Sequence, residues 1–136
     1  MQTSAKAVYL DSSALVKLAV EEPESSHLKG YLANRLRRVS CALARVEVVR
    51  AVRPHGVDAV AGAQIMLGDV YLLGIDNRVL DTAAQLNPIG LRSLDAIHLA
   101  AALSLQEDLG RLVTYDLRMA SAARELGILV DTPGRP

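Results

Sequence analysis

Four acidic side chains stand inside or at the edge of otherwise apolar stretches. They are Asp11 in Val-Tyr-Leu-Asp-Ser-Ser, Glu47 in Ala-Arg-Val-Glu-Val-Val, Asp95 in Ser-Leu-Asp-Ala-Ile and Asp116 in Leu-Val-Thr-Tyr-Asp. A carboxylate enters a core only with a partner, because losing its hydration is costly. No Lys or Arg adjoins Asp11, Asp95 or Asp116 in sequence. A divalent ion is the simplest shared partner, since it takes hard oxygen ligands and offsets their mutual repulsion. Each acid also has a plainer reading. Asp11 and Asp116 could be cap or turn residues after a strand, Asp95 a partner of a helix dipole, and Glu47 a pair with Arg50 one helical turn on. All four plain readings would have to hold together, so the set points to a metal site. Converging carboxylates would repel in the metal-free fold, and losing one, as in Asp116→Asn, is then expected to raise stability without metal.

The elements that must carry these acids alternate along the chain. Ala7–Leu10 reads as a buried strand ending at Asp11, followed by a helix that Ser12 or Ser13 can cap. A helix from Glu24 to about Asn34, a strand at Arg38–Cys41, and a helix from Ala42 to Val52 carrying Glu47 come next. The spacing then predicts a helix over 57–69, a strand over 70–75 and a helix over 77–86. Ser93 can cap a helix over 94–105, Leu112–Tyr115 is a strand ending at Asp116, and a helix over 119–126 precedes a last strand at Ile128–Val130. Alternation of this kind implies an α/β fold, a parallel sheet with helices on both faces. Ligands bind such sheets beyond the carboxyl ends of the strands. Asp11 and Asp116 would both lie there, and the acids from separate segments can converge.

The 136 residues suit one domain, expected over 1–131, with 132–136 as a loose tail. At 51% hydrophobic with four Tyr as the only aromatic residues, the core must be Leu, Val, Ile and Ala. No apolar run reaches the roughly 18 residues of a membrane span, so no membrane role is expected. One cysteine, Cys41, excludes an internal disulfide and suits a cytoplasmic setting, where it reads as a small buried hydrophobe. The 15 basic and 15 acidic residues balance. Setting the four site acids aside leaves an excess of basic charge that would suit a polyanion. His98 is read as a packed or hydrogen-bonded histidine, and Lys17 and Arg50 as ion-pairing or solvated cations. The cluster at 35–38 is read as a solvated connection. The acids Glu21, Glu22, Glu24, Asp58, Asp69, Asp81, Glu107 and Asp108 are expected to face solvent.

Leu-Asp-Ser-Ser-Ala-Leu-Val-Lys-Leu at 10–18 resembles the opening motif of PIN-domain ribonucleases, particularly VapC-type toxins. The segment from Ser40 to Glu47 is similar to that family's second motif, Ser93 to Ala102 to its third, and Thr114-Tyr115-Asp116 with Met119, Ala120 and Ala123 to its fourth. The motifs run in the family's order over nearly the whole chain. The resemblance implies a single PIN-like domain with a five-stranded parallel sheet in order 3-2-1-4-5. It also implies a site for Mg2+, or Mn2+ in its place, held by Asp11, Glu47, Asp95 and Asp116. Ser13 and Thr114 become supporting hydroxyls. The implied activity is endonucleolytic cleavage of RNA by the toxin of a type II toxin–antitoxin pair, inhibited by its cognate antitoxin, with a homodimer joining antitoxin chains.

An Mg2+ ion held by carboxylates lowers the pKa of a bound water and neutralises charge on the phosphate oxygens. Without a histidine pair for transfer through the ribose 2′-hydroxyl, hydrolysis leaving a 5′-phosphate and a 3′-hydroxyl is the expected route. Two rival readings belong to other classes. One is a non-catalytic PIN-like RNA-binding or regulatory module. The other is an aspartate-based phosphatase, which usually needs a second Asp where Ser13 stands.

Overall fold

The computed structural model describes residues 5–35 and 37–136. The first four residues of the expected 1–131 domain, and Leu36 of the basic connection, lie outside them. The strands are β1 (Ala7–Leu10), β2 (Arg38–Cys41), β3 (Tyr71–Leu73), β4 (Leu109–Val113) and β5 (Val130–Asp131). The helices are α1 (Ser12–Ala19), α2 (Ser25–Leu32), α3 (Ala44–Val52), α4 (Val57–Leu67), α5 (Asn77–Gln85), α6 (Ser93–Leu103) and α7 (Leu117–Glu125). The strands form one parallel sheet in the order β3-β2-β1-β4-β5. That is the order the resemblance implied.

Strand β1 shows why the sheet needs helices on both sides. Its alternate residues face opposite ways, as the two-residue period of a strand requires. Ala7 and Tyr9 pack with Leu112, Val79 of α5, Leu99 of α6 and Met119 of α7. Val8 and Leu10 pack with Leu15 of α1, Leu28 of α2, Val48 of α3 and Ala63 of α4. Helices α1 to α4 therefore cover one face and α5 to α7 the other. All four β1 residues are buried, and burying a large aliphatic side chain contributes roughly 1.5–3 kcal/mol. The chain leaves β1 towards β2 on one side and returns to β4 on the other. The crevice between the carboxyl ends of β1 and β4 is thus the point where an open sheet receives ligands.

Three local expectations are revised. Asp11, not Ser12 or Ser13, caps α1: its carboxylate accepts the Ala14 N–H at 3.0 Å, which frees both serine hydroxyls for other partners. Arg92 rather than Ser93 is the cap residue of α6, and its side chain makes no capping bond. Strand β4 ends at Val113, so Asp116 lies three residues beyond the ladder. The intervening Tyr115 N–H turns aside to the Ser13 hydroxyl at 3.0 Å.

Residues 132–136, expected to be loose, are tied down. Arg135 donates to Glu24 at 2.6 Å and to the Tyr115 carbonyl at 3.0 Å, while the Tyr115 hydroxyl donates to the Pro133 carbonyl at 2.7 Å. Gly134, at φ 91°, sits where a Cβ would come within 3.1 Å of His27. Glu24, expected in solvent, is buried and also accepts from buried Lys17 at 2.8 Å. The Arg135–Glu24 pair joins residues 111 apart in sequence, and neither member reads as unusual alone. Among the described residues no helix is long and apolar enough to cross a membrane.

Lys17 first, and then Arg135, hold the Glu24 carboxyl down at about 2, against an ordinary 4.5. A depressed carboxyl stabilises the fold above its unfolded value, and that contribution disappears as pH falls through the folded one. The stability difference between wild type and Glu24→Gln should therefore be largest above pH 4.5 and shrink towards pH 2. Urea unfolding across that window measures it, and a difference that does not change with pH would contradict the ion-pair role.

Candidate metal centre

At the end of β1, Asp11 is buried to 4% exposure and its carboxylate is satisfied entirely by neutral donors. The Ser13 hydroxyl donates to Oδ1 at 2.6 Å beside the Ala14 N–H, and the Thr114 hydroxyl donates to Oδ2 at 2.5 Å. Burial pushes the Asp11 carboxyl up, and the donors from Ser13, Thr114 and Ala14 oppose that. Thr114 reaches Asp11 because Leu10 and Val113 are paired in register across β1 and β4. Its Oγ1 also accepts the Asp116 N–H at 3.1 Å, so a single threonine couples two of the acids.

Asp116 caps α7, its Oδ1 accepting the N–H groups of Arg118 at 2.9 Å and Met119 at 3.1 Å. Its other oxygen faces Arg92. The guanidinium donates to Asp116 Oδ2 at 3.0 Å and to Asp95 Oδ2 at 3.2 Å, bridging the first turn of α6 to the start of α7. This bridge alters the electrostatic expectation. The two outer carboxylates do not face each other uncompensated, and Asp116 also supplies a helix cap. Asp116→Asn would keep an oxygen for the cap but lose the ion pair with Arg92 as well as the repulsion, so the expected rise in stability no longer follows from repulsion alone.

Glu47 is not held by Arg50. Its Oε1 accepts from His98 Nε2 at 2.7 Å and from the Ser12 hydroxyl at 2.8 Å. His98 is buried in α6, one turn beyond Asp95, with Nδ1 2.8 Å from the Tyr9 hydroxyl and 3.6 Å from Cys41 Sγ. Burial opposes the imidazolium, but Cys41 and Glu47 outweigh it and push His98 up to about 10. The ring stands between Glu47 and Tyr9, with one nitrogen turned to each. Burial likewise opposes the Glu47 carboxylate, and His98 with Ser12 brings it below the usual range. Lys17 is engaged by Glu22 and Glu24 rather than turned to the site.

Thr114 joins Asp11 to Asp116 and Arg92 joins Asp116 to Asp95, while Glu47 is held by His98 and by Ser12, the residue next to Asp11. Among the described residues, however, no three His, Cys, Asp or Glu side chains stand close enough together to hold one ion. Arg92 and His98 instead bond oxygens of Asp95, Asp116 and Glu47. The donor chemistry fits Mg2+ or Mn2+: hard carboxylate oxygens, one of them buried without a basic partner, supported by hydroxyls. Arg92, Ser12 and the Tyr9–His98 link escaped the sequence. The i,i+3 spacing of Arg92 and Asp95 was the one visible signal.

A family model described as the PIN domain matches residues 8–125. The chain belongs to the PIN-domain family. The matched span holds all four acids together with Ser13 and Thr114. Over 127 residues the chain is 56% identical to ribonuclease VapC46 of Mycobacterium tuberculosis, covering 93% of this chain and 98% of that protein. It is 37% identical over 132 residues to ribonuclease VapC47 of the same species, covering 93% and 97%. In fold it is similar to the crystal structure of M. tuberculosis VapC20, a sarcin-ricin loop cleaving toxin, with a TM-score of 0.74 at 14% identity and coverage of 93% and 100%. A toxin–antitoxin complex from Klebsiella pneumoniae gives a TM-score of 0.70 at 17% identity, covering 93% and 98%.

Two substitutions test the supports of this PIN-domain edge. Thr114→Val removes the donor to Asp11 and the acceptor of Asp116 N–H, and should cost about 1–3 kcal/mol in urea unfolding. His98→Ala removes the ring that bonds the buried Tyr9 hydroxyl and Glu47, leaving Glu47 only its Ser12 donor, and should cost about 2–3 kcal/mol. A histidine raised above its ordinary 6.5 contributes its charge-linked stability below that value and loses it as pH rises towards about 10. The gap between wild type and His98→Ala should narrow over that range, and a constant gap would argue against a charged His98.

Proposed function

We propose that this PIN-domain chain is a metal-dependent endoribonuclease, the toxin of a type II toxin–antitoxin pair. Asp11 carries the reading: a buried carboxylate, held by hydroxyl and amide donors alone, at the strand end where three further acids gather. The 56% identity to ribonuclease VapC46 supports RNA as the substrate class, and the likeness to a toxin–antitoxin complex supports an antitoxin as partner. Asp11, Glu47, Asp95 and Asp116 would hold Mg2+, with Mn2+ able to replace it. When bound, such an ion lowers the pKa of water and offsets negative charge gathering on the phosphoryl oxygens.

The chain's own residues prepare the place. Ser13 and Thr114 fix both oxygens of Asp11, so its orientation is set before any ligand arrives. His98 and Ser12 do the same for Glu47 and leave its Oε2 available. Thr114 orients the Asp116 backbone, and the α7 amides orient its side chain. The helix N-termini at Asp11 and Asp116 present backbone N–H groups and the positive end of a dipole towards these side chains. We further propose that the antitoxin inhibits by filling this edge, that toxin and antitoxin chains assemble through a toxin homodimer, and that the protein works in the cytoplasm.

Purified chain should cut RNA in Mg2+, not in EDTA, and leave 5′-phosphate ends. Asp11→Asn and Asp95→Asn should reduce cleavage at least about a hundredfold, as loss of a charged ligand from a shared ion would. Glu47→Gln should be nearly as severe, whereas Asp81→Asn on the exposed side of α5 should leave cleavage unchanged. Full activity in folded Asp11→Asn would remove the site from consideration.

A further inference from the structure

Arg92 bonds two of the carboxylates proposed to hold the metal. It stands at the start of α6 with an extended backbone (φ −68°, ψ 149°) and makes no cap bond of its own. Its side chain is 66% exposed, yet it spans Asp95 Oδ2 at 3.2 Å and Asp116 Oδ2 at 3.0 Å. No other Lys or Arg side chain bonds either carboxylate among the described residues. Beside it opens a cavity of about 440 Å³, lined by Leu91, Arg92, Asp95, Leu117 and Arg118 among others.

From this geometry we infer that Arg92 is a built-in counter-cation, occupying the Asp95–Asp116 pair until a divalent ion displaces it. A guanidinium and a divalent cation on the same two oxygens repel strongly at such range, so binding the ion expels the arginine. The open cavity receives the side chain with no change in α6, because only rotamers of an exposed residue must alter. Once expelled, Arg92 lies with Arg118 at the rim of the acid cluster, where two guanidiniums match the bidentate geometry of a phosphodiester. One residue thereby serves two states. It neutralises the site before the metal arrives and meets the RNA backbone afterwards. The second role rests on the ribonuclease reading, whereas the first does not.

The test is a titration of metal alone, followed by electron paramagnetic resonance of free Mn2+, on wild type, Arg92→Ala, Arg92→Gln and Arg92→Lys. Losing a competing cation worth about 0.5–1 kcal/mol at each of two partly exposed carboxylates should tighten Mn2+ binding about tenfold in Arg92→Ala. Arg92→Gln should behave alike, which guards against a folding defect in the alanine variant. Arg92→Lys, a point charge that reaches one carboxylate at a time, should fall between. In melting experiments Arg92→Ala should be less stable than wild type in EDTA and gain more from Mn2+. A structural role alone would lower stability without tightening the metal. Equal or weaker Mn2+ binding in both neutral variants overturns the inference even if wild type cleaves RNA normally. Tighter binding together with a wild type that cuts no RNA would keep the counter-cation and sink the ribonuclease reading. No Mn2+ binding to any of the four proteins would overturn both.

Discussion

Burial of the Asp11 carboxylate is the constraint around which the rest of this domain is arranged. A charged oxygen pair at 4% exposure must find donors that do not themselves need water. Here they come from two hydroxyls and one amide, drawn from the first turn of α1 and the residue just beyond β4. That supply depends on register. Leu10 must pair with Val113 for Thr114 to stand opposite Asp11, and a slip of one residue would turn Thr114 to the other face of the sheet. The apolar alternation of β1 against two helix layers fixes that register. Packing of the core and orientation of one carboxylate are therefore the same fact seen at two scales.

Charge compensation changes from the centre of the cluster to its outside. Asp11 has neutral donors, while Asp95 and Asp116 share a guanidinium and Glu47 has the His98 ring. The pattern follows burial. A long basic side chain can reach the half-exposed acids while keeping contact with water, but no such chain could accompany Asp11 into the core without a desolvation cost of its own. What is left is an acid held by neutral donors alone, next to acids that have basic partners.

Much of this was legible in the sequence, for reasons that particular residues make plain. The alternation of short apolar runs with amphipathic segments implies a helix-covered parallel sheet, and acids interrupting those runs are anomalous enough to notice singly. The order of the strands came from resemblance rather than from periodicity, since nothing in the composition of β2 or β4 says which of them flanks β1. The partners of the acids were illegible. Arg92 precedes Asp95 by three residues, but its second bond, to Asp116, exists only because α6 and α7 start side by side. His98 looks like any histidine among apolar neighbours until α3 brings Glu47 against it. The docking of Arg135 on Glu24 depends in the same way on distant chain ends meeting. Local chemistry reads from sequence, whereas pairing across the fold does not.

The starts of three helices meet at this edge, and they explain how the acids can gather there at all. Asp11 caps α1, Asp116 caps α7 and Asp95 lies in the first turn of α6. Each start presents backbone N–H groups and the positive end of a dipole, which lowers the cost of ionised carboxylates in a part-buried place. The same field would favour an anion such as a phosphodiester, but the carboxylates it stabilises repel that anion. The two demands conflict while the site holds acids alone, and they are reconciled only when mobile positive charge joins the cluster. On the reading proposed above, a divalent ion supplies that charge at the oxygens, and Arg92 with Arg118 supplies it at the rim. On that reading, the electrostatic problem set by gathered acids at helix starts is solved by a cation that can come and go.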